Sequence, residues 1–272
     1  MNSPRYYVAA FAVFGLVWVT ACAHSGGTAG NEGMLPVPPA DQIEFDFADG
    51  ASLPVVSPVE RDVLRLKSFR VGTGKNRILI VGVQAEEGGK ENVADMMISS
   101  VQLGNRELTL LAGSEVQLSS IWRGKEYFLK VALYYLLNPP SGENDITVFF
   151  AGPVTSANIG AVSLANAKQA APVNLVTRKQ ENQKEISTQI TTQTSGAWVV
   201  DIVGCGHKSK LKPETKDHVR RFNAQENSGG KSSLLGGTLP VAAAGEVALR
   251  WSQPERSINR LVHIAVEISP HS

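Results

Sequence analysis

Nucleophilic catalysis needs a cysteine with a base close to it, and one segment holds both residue types. In Asp201-Ile-Val-Gly-Cys-Gly-His207, Cys205 lies two residues before His207, and His218 follows further along. A thiolate becomes a usable nucleophile when a base lies within hydrogen-bonding distance. Residues two apart on a strand share a face without necessarily touching. Because the segment ends an apolar strand pattern, we expect Cys205 to be a buried, unreactive thiol. A Cys–His pair is the alternative.

Asp201 is the only acidic residue well inside an apolar strand pattern. Burial would raise the pKa of its carboxyl unless a partner compensates, so we expect a structural ion pair or hydrogen bond. The alternative is one of the two opposed carboxyls that a polysaccharide hydrolase requires. The sequence holds no His-Glu-x-x-His, Gly-x-Ser-x-Gly or phosphate-binding glycine loop. It therefore favours no catalytic class.

Exposed aromatic and basic residues offer a binding chemistry instead. Trp122 lies in Ser119-Ser-Ile-Trp-Arg-Gly-Lys-Glu126, where Gly, Ser and charged residues predict a loop. Sugar rings stack on such flat side chains while polar neighbours, here Arg123, donate hydrogen bonds. Tyr134 and Tyr135 must face opposite ways on a strand, which makes Tyr135 a second candidate. The alternative is that Trp122 packs as core at one end of the fold.

The second binding candidate is a basic loop. The segment His207–Arg221 contains six Lys and Arg residues against Glu214 and Asp217. Its candidate ligand residues are Lys208, Lys210 and Lys212. Such a loop could attract an anionic glycan, a lipopolysaccharide phosphate or anionic headgroups. The alternative is an ordinary solvated loop.

Metal binding has weaker support. Two acidic groups could supply calcium with oxygen ligands, but neither has the spacing of a known calcium loop. They are Glu143, Asn144 and Asp145, and Glu86, Glu87 and Glu91. We keep calcium as a possibility and expect no other cofactor.

The N-terminus resembles a bacterial lipoprotein leader. Arg5 precedes an uncharged apolar stretch, and Val19-Thr-Ala-Cys22 resembles a lipobox. The resemblance implies a signal peptide at 1–21, lipid on Cys22 and anchoring to the envelope membrane, the outer one if the host has two. Residues 22–40 are rich in Gly, Ser and Pro, as in a flexible tether. An uncleaved N-terminal anchor is the alternative, although the apolar stretch is short for a spanning helix.

The charge balance argues against nucleic acid as a partner. The chain has 26 Lys and Arg against 25 Asp and Glu residues, and Arg5 lies in the leader. The mature chain would therefore carry equal numbers of both signs, without the basic excess typical of nucleic-acid binding.

From Asp41 onward, short apolar or alternating runs are separated by Gly, Pro, Asn and Ser, which predicts strands. Strands at this spacing, almost without helix, favour one two-sheet antiparallel β-sandwich over residues 41–269. In Leu261–Ile268, alternation places Val262, Ile264 and Val266 in the core and His263 on the more exposed face. Trp198 and Trp251 lie within strand patterns and are predicted core. The predicted strands are 43–47, 63–71, 78–85, 98–103, 107–111, 128–137, 146–151, 159–164, 185–192, 197–204, 219–223, 246–251 and 261–268.

Several of these runs resemble modules common in secreted and surface proteins of bacteria. The resemblance covers roughly residues 60–269 and implies a jelly-roll or concanavalin-A-like sandwich, without a catalytic set to transfer. It is carried by Asn76–Val83, Ile98–Thr109, Leu133–Gly142, Ile146–Phe150, Gly160–Leu164, Trp198–Val203, Arg221–Asn223 and Leu249–Trp251.

Together these patterns favour a lipid-anchored, non-catalytic envelope protein that recognises a glycan or another envelope component. The alternative is a structural or assembly lipoprotein that contacts an envelope protein. A polysaccharide hydrolase or lyase is the third possibility.

Overall fold

The structure is a computed structural model that describes residues 42–52, 62–225, 232–254 and 256–271, without the side chains of residues 90, 91 and 122. Cys22, the leader and the tether lie outside these ranges, so lipidation stays a prediction. No helix in the described part is long and apolar enough to cross a bilayer. The elements are β1 (Glu44–Ser52), β2 (Val63–Val71), β3 (Ile78–Gly88), a 3₁₀ helix (Lys90–Met96), β4 (Ile98–Leu103), β5 (Arg106–Glu107), β6 (Thr109–Leu110), β7 (Val116–Trp122), β8 (Lys125–Leu137), β9 (Gly142–Phe150), β10 (Ser156–Ala165), β11 (Leu175–Gln183), β12 (Glu185–Thr192), β13 (Trp198–Cys205), β14 (Lys212–Pro213), β15 (Val219–Gln225), β16 (Ser233–Pro240), β17 (Gly245–Ser252) and β18 (Ile258–Ile268).

Among the described residues, the strands form four antiparallel sheets. In the first half of the chain, sheet I has the order β1-β10-β3-β8-β6, with β7 also pairing with β8, and sheet II has the order β2-β9-β4-β5. In the second half, sheet III has the order β11-β18-β13-β16-β15 and sheet IV the order β12-β17-β14. The prediction of an all-β antiparallel sandwich is confirmed, but there are four sheets where two were expected.

The two halves repeat one topology. Seven strands of the first half have a counterpart in the second half, in the same order along the chain: β1 and β11, β2 and β12, β3 and β13, β4 and β14, β8 and β16, β9 and β17, and β10 and β18. Their neighbours in the sheets correspond as well, and β15 takes the edge position that β7 takes in sheet I. Each half has the strand order of a jelly roll, a double-sheet fold of two Greek keys. The chain therefore contains two jelly rolls in tandem.

The four sheets stack in the order II, I, III, IV. Apolar residues fill the spaces between I and II, between I and III, and between III and IV. The contacts between I and III come in equivalent pairs: β10 contacts β15 as β18 contacts β7, and β3 contacts β16 as β13 contacts β8. The two jelly rolls thus pack through the same face, as in an isologous dimer with a pseudo-twofold axis.

Burial on both faces of sheet III overturns one prediction. His263 was expected on the exposed face of its strand, but it is fully buried. Alternation was right about which residues share a face with His263. The face opposite Val262 and Ile264 is covered by sheet IV, which the sequence pattern of a single strand does not reveal.

Besides the two-residue strand β14, three longer strands escaped prediction, each for a physical reason. β11 is mostly polar because it is an edge strand, where charged residues discourage pairing with another chain. β16 is central but contains Gly236 and Gly237, and glycine weakens a strand pattern. The Phe222 ring occupies the space that a Cβ on Gly236 would need, within 2.3 Å. β7 combines apolar residues with Ser119 and Ser120, and the polar residues at its end predict a loop where the structure has a strand.

A glycine also allows sheets I and III to pack closely together. A Cβ on Gly204 would lie 2.4 Å from Cγ2 of Val131, within this interface. We expect Gly204→Ala to lower the free energy of unfolding by about 1–3 kcal/mol, because a well-packed core resists added atoms. Urea unfolding followed by intrinsic fluorescence would measure it. In the double variant Gly204→Ala/Val131→Ala the clash is gone, so the two losses should not add. Simple additivity would contradict this explanation.

Candidate functional site at the end of the two jelly rolls

The hairpin of β7 and β8 carries Trp122 and Arg123 at one end of the stacked sheets. Trp122 is the last residue of β7 and pairs with Lys125. Between them, Arg123 has φ 50° and Gly124 φ 75°, and a two-residue type I′ turn requires positive φ at both positions. The Ile121 side chain is 74% exposed. The expected loop is therefore a short, defined turn, and it presents apolar and basic residues to the solvent.

The basic loop begins at the same end, after β13. Lys208 is half-buried, whereas Lys210 and Lys212 are exposed and Lys212 belongs to β14. Two glutamines hold the loop by its backbone. Gln253 Oε1 accepts a hydrogen bond from the Lys210 N–H at 2.9 Å, and Gln225 Nε2 donates to the Ser209 carbonyl at 2.6 Å. The charged lysines thus lie on an ordered support.

Arg260 joins the hairpin to the loop across the interface between the jelly rolls. Its Nη1 donates to Ser120 Oγ of β7 at 2.7 Å, and its Nη2 lies 3.1 Å from Glu86 Oε1 of β3. The same Nη2 lies 3.5 Å from the carbonyl oxygen of Gly206, where the basic loop begins. The guanidinium also lies 5.5 Å from the Tyr127 ring centroid. This one side chain, 3% exposed, thus contacts the hairpin segment and the residue that immediately precedes the basic loop.

Other polar side chains lie beside Arg260 in the interface between the two jelly rolls. Gln84 Nε2 donates to the Cys205 carbonyl and Gln84 Oε1 accepts from the Cys205 N–H, both at 3.3 Å. Asn158 Nδ2 donates to Ser232 Oγ at 2.9 Å, and Ser232 Oγ lies 2.6 Å from Ser156 Oγ. Gly206 leaves space for the Arg260 guanidinium, because a Cβ on Gly206 would lie 2.7 Å from Arg260 Nη2. The interface is therefore polar and hydrogen-bonded at the hairpin end, and apolar towards the other.

Sequence reasoning missed Arg260, although its position gave a signal. Arg260 has the same parity as Val262, Ile264 and Val266, which were predicted to face the core. A charged residue in register with a core face needs a buried partner. That partner is Glu86, which the sequence suggests only as a candidate calcium ligand.

Tyr135 lies far from the hairpin. It is half-buried against the core between sheets I and III and pairs with Thr109 near the other end of β8. Ten residues of β8 separate it from Lys125, or about 33 Å along an extended strand. Tyr134 is buried on the opposite face, where burial and the charge of Glu115 raise the pKa of its hydroxyl to about 12. Tyr135 therefore does not join the site of Trp122.

The candidate calcium ligands bind different partners and do not point to one shared site. Glu86 pairs with Arg260, and Glu87 accepts hydrogen bonds from the backbone and hydroxyl of Thr155. Asp145 Oδ1 accepts a hydrogen bond from the Ser68 N–H at 3.0 Å. Within the described ranges, no three His, Cys, Asp or Glu side chains are grouped for a metal ion.

Asp201 forms a buried polar cluster in the core of the second jelly roll. Its Oδ1 lies 2.9 Å from His218 Nε2, and its Oδ2 lies 2.8 Å from His263 Nε2 and 2.6 Å from Trp251 Nε1. Burial alone would raise the pKa of this carboxyl. The charge of His218 and the hydrogen bonds from both histidines outweigh burial and hold that pKa well below its usual range.

The surroundings of this cluster indicate a structural role. The Asp201 carboxyl and both imidazoles have no exposed surface, so a substrate does not reach them in this conformation. A Cβ on Gly237 would lie 2.4 Å from His218 Nε2, so glycine makes room for the ring. In the first jelly roll, the space between the two sheets is filled by aliphatic and aromatic residues such as Val81 and Val83. The jelly-roll topology therefore does not itself require a charged centre.

Cys205 is buried beside this core. Burial raises the pKa of its thiol to about 12, despite hydrogen bonds with Ser209 and Ser233 that lower it. His218, one of its two predicted bases, contacts Asp201 instead. The geometry thus agrees with a structural thiol.

No protein-family model, curated protein or solved structure matches this chain. Any function proposed for it therefore rests on its own residues.

Proposed function

We propose that this chain is a lipid-anchored envelope protein that binds a glycan, without catalysing a reaction on it, through the hairpin end of its two jelly rolls. The observation that carries the proposal is Arg260, which joins the Trp122–Lys125 hairpin to the loop with Lys208 and Lys210. Ligand sites are common at interfaces between domains, where a few fixed polar groups orient the ligand. The lipobox at Cys22 supplies the predicted anchor.

The position of the N-terminal strand fits this arrangement. The Gln42 carbonyl accepts a hydrogen bond from Asn166, and Glu44 pairs with Ala165 at the end of β10. Ala165 lies beside the start of β3, whereas the hairpin lies beside its end. A tether from Cys22 would thus join the fold at the end away from the hairpin.

A glycan array probed with the full-length lipoprotein in detergent tests the proposal. We expect retention on one glycan class and a loss of binding of about tenfold in Trp122→Ala/Arg123→Ala, the size of one lost stacking contact. The control is Lys75→Ala, an exposed residue at the opposite end, which should bind as the native protein does. Equal binding by all three proteins would refute the site, and no binding to any glycan would refute the function.

A structural or assembly role is the second candidate, favoured by the exposure of Ile121 at the hairpin tip. A protein partner would bury this side chain, whereas a glycan has less use for an aliphatic contact. Crosslinking in native envelopes, followed by identification of one stoichiometric protein and no retained glycan, would favour it.

A further inference from the structure

Basic side chains from four separate connections meet at the hairpin end. The strands that lead into these connections end side by side: Gln183 pairs with Ile258, and Cys205 pairs with Leu261. The six residues are Arg123, Lys125, Lys184, Lys208, Lys210 and Arg256. Five of their side chains are exposed, and that of Lys208 is half-buried.

The acidic residues nearby do not balance this charge. Glu86 and Glu87 are buried, Glu86 against Arg260 and Glu87 against Thr155. Glu185 pairs with another cation, Arg250, at 2.5 Å. Three further acids lie near the six cations: Glu126 in the hairpin, Glu181 opposite Arg260 in β11, and Glu255, which the sequence places in the β17–β18 connection. A net positive charge therefore remains, although the whole chain is nearly neutral.

Hydrogen bonds to neutral acceptors hold these connections in place. Lys184 Nζ donates to the Pro254 carbonyl at 3.4 Å, and Gln253 Nε2 donates to the Arg256 carbonyl at 2.7 Å. Together with the bond from the Lys210 N–H to Gln253, they tie three connections to each other. The acceptors of these three bonds are two backbone carbonyls and an amide oxygen, so the bonds order the loops without adding a negative charge. Such order lowers the entropy lost when a ligand binds.

We infer that this end binds a linear acidic polysaccharide whose carboxylates lie across both jelly rolls. The inference rests on the proposed glycan-binding function and names the class of its ligand. Arg123 and Lys125 belong to the first jelly roll, and Lys184, Lys208 and Arg256 to the second. A ligand that meets all of them must cross the interface above Arg260. A charged polymer supplies repeated anions over that span, and each screened contact adds a small attraction.

Two acidic polymers, polygalacturonate and alginate, test the inference beside their methyl esters, which have the same backbone without the charge. We expect the full-length lipoprotein in detergent to bind an acid form at least about tenfold more tightly than its ester at low salt, and to lose most of that difference near 0.3 M salt. In Lys125→Glu/Lys208→Glu, the preference for the acid form should fall by about tenfold or more. The control Lys75→Glu/Lys168→Glu changes the same charge at the other end and should keep the preference.

Equal binding to acid and ester, or equal loss in both charge-reversal variants, would overturn the inference while the glycan-binding proposal stands. Binding to a neutral glycan alone would do the same. If no acidic or neutral glycan is bound, the proposed function itself fails. Circular dichroism of each variant separates a lost contact from a lost fold.

Discussion

Replacing Asp201 by alanine should destabilise the protein by about 3–5 kcal/mol, because three buried N–H groups lose their shared acceptor. These donors are His218 Nε2, His263 Nε2 and Trp251 Nε1. His263 lies in β18 of sheet III, Trp251 lies in β17 of sheet IV, and His218 immediately precedes β15. The Asp201→Asn variant keeps one acceptor and should lose less. The measurement is the free energy of unfolding in urea at pH 7, with Trp fluorescence as the signal.

The pH dependence distinguishes this cause from a simple cavity. The pKa of Asp201 is lower in the folded protein than in the unfolded chain, whose value is about 3.9. Its stabilisation is therefore fully present above about pH 4 and is lost as the pH falls further towards the folded pKa. The native protein should lose stability more steeply than Asp201→Ala between about pH 4 and pH 2. Parallel curves would show that the carboxylate does not contribute.

The second large effect concerns Arg260. Arg260→Met should cost about 3–5 kcal/mol, because the buried carboxylate of Glu86 loses its ion pair with the Arg260 guanidinium. In Arg260→Met/Glu86→Gln both charges are gone, and replacing a buried ion pair by neutral groups is often tolerated. We therefore expect the double variant to be more stable than Arg260→Met alone. A double variant as unstable as the sum of its parts would contradict the ion pair.

The Arg260→Met variant also tests whether Arg260 holds the hairpin and the basic loop in place. Arg260 contacts Ser120 below the hairpin tip and Gly206 at the start of the basic loop. In Arg260→Met, amide hydrogen exchange should therefore accelerate in β7 and in residues 206–211 before it does in sheet II. Uniform acceleration would show that Arg260 stabilises the whole fold without a particular role in joining the two segments.

Local patterns predicted much of the fold. Alternation of apolar residues and the positions of turn residues predicted thirteen strand positions and the all-β class. Alternation also predicted which residues of β18 share a face. These signals depend only on near neighbours in the sequence. The chemistry of Cys205 and Asp201 was also anticipated, because a polar group in an apolar strand must be buried, and a buried carboxyl needs partners. These predictions required no knowledge of distant contacts.

Only the tertiary structure decided which residues share a site. The stacking of two jelly rolls covers both faces of sheets I and III, which buries His263 and gives Arg260 its partner, Glu86. The contact between Arg260 and Glu86 spans 174 residues of sequence, and the one with Ser120 spans 140. Strand periodicity specifies faces but not which sheet covers them. The strands were thus readable from the sequence, whereas the repeated topology and the surface joined by Arg260 arise from packing between distant segments.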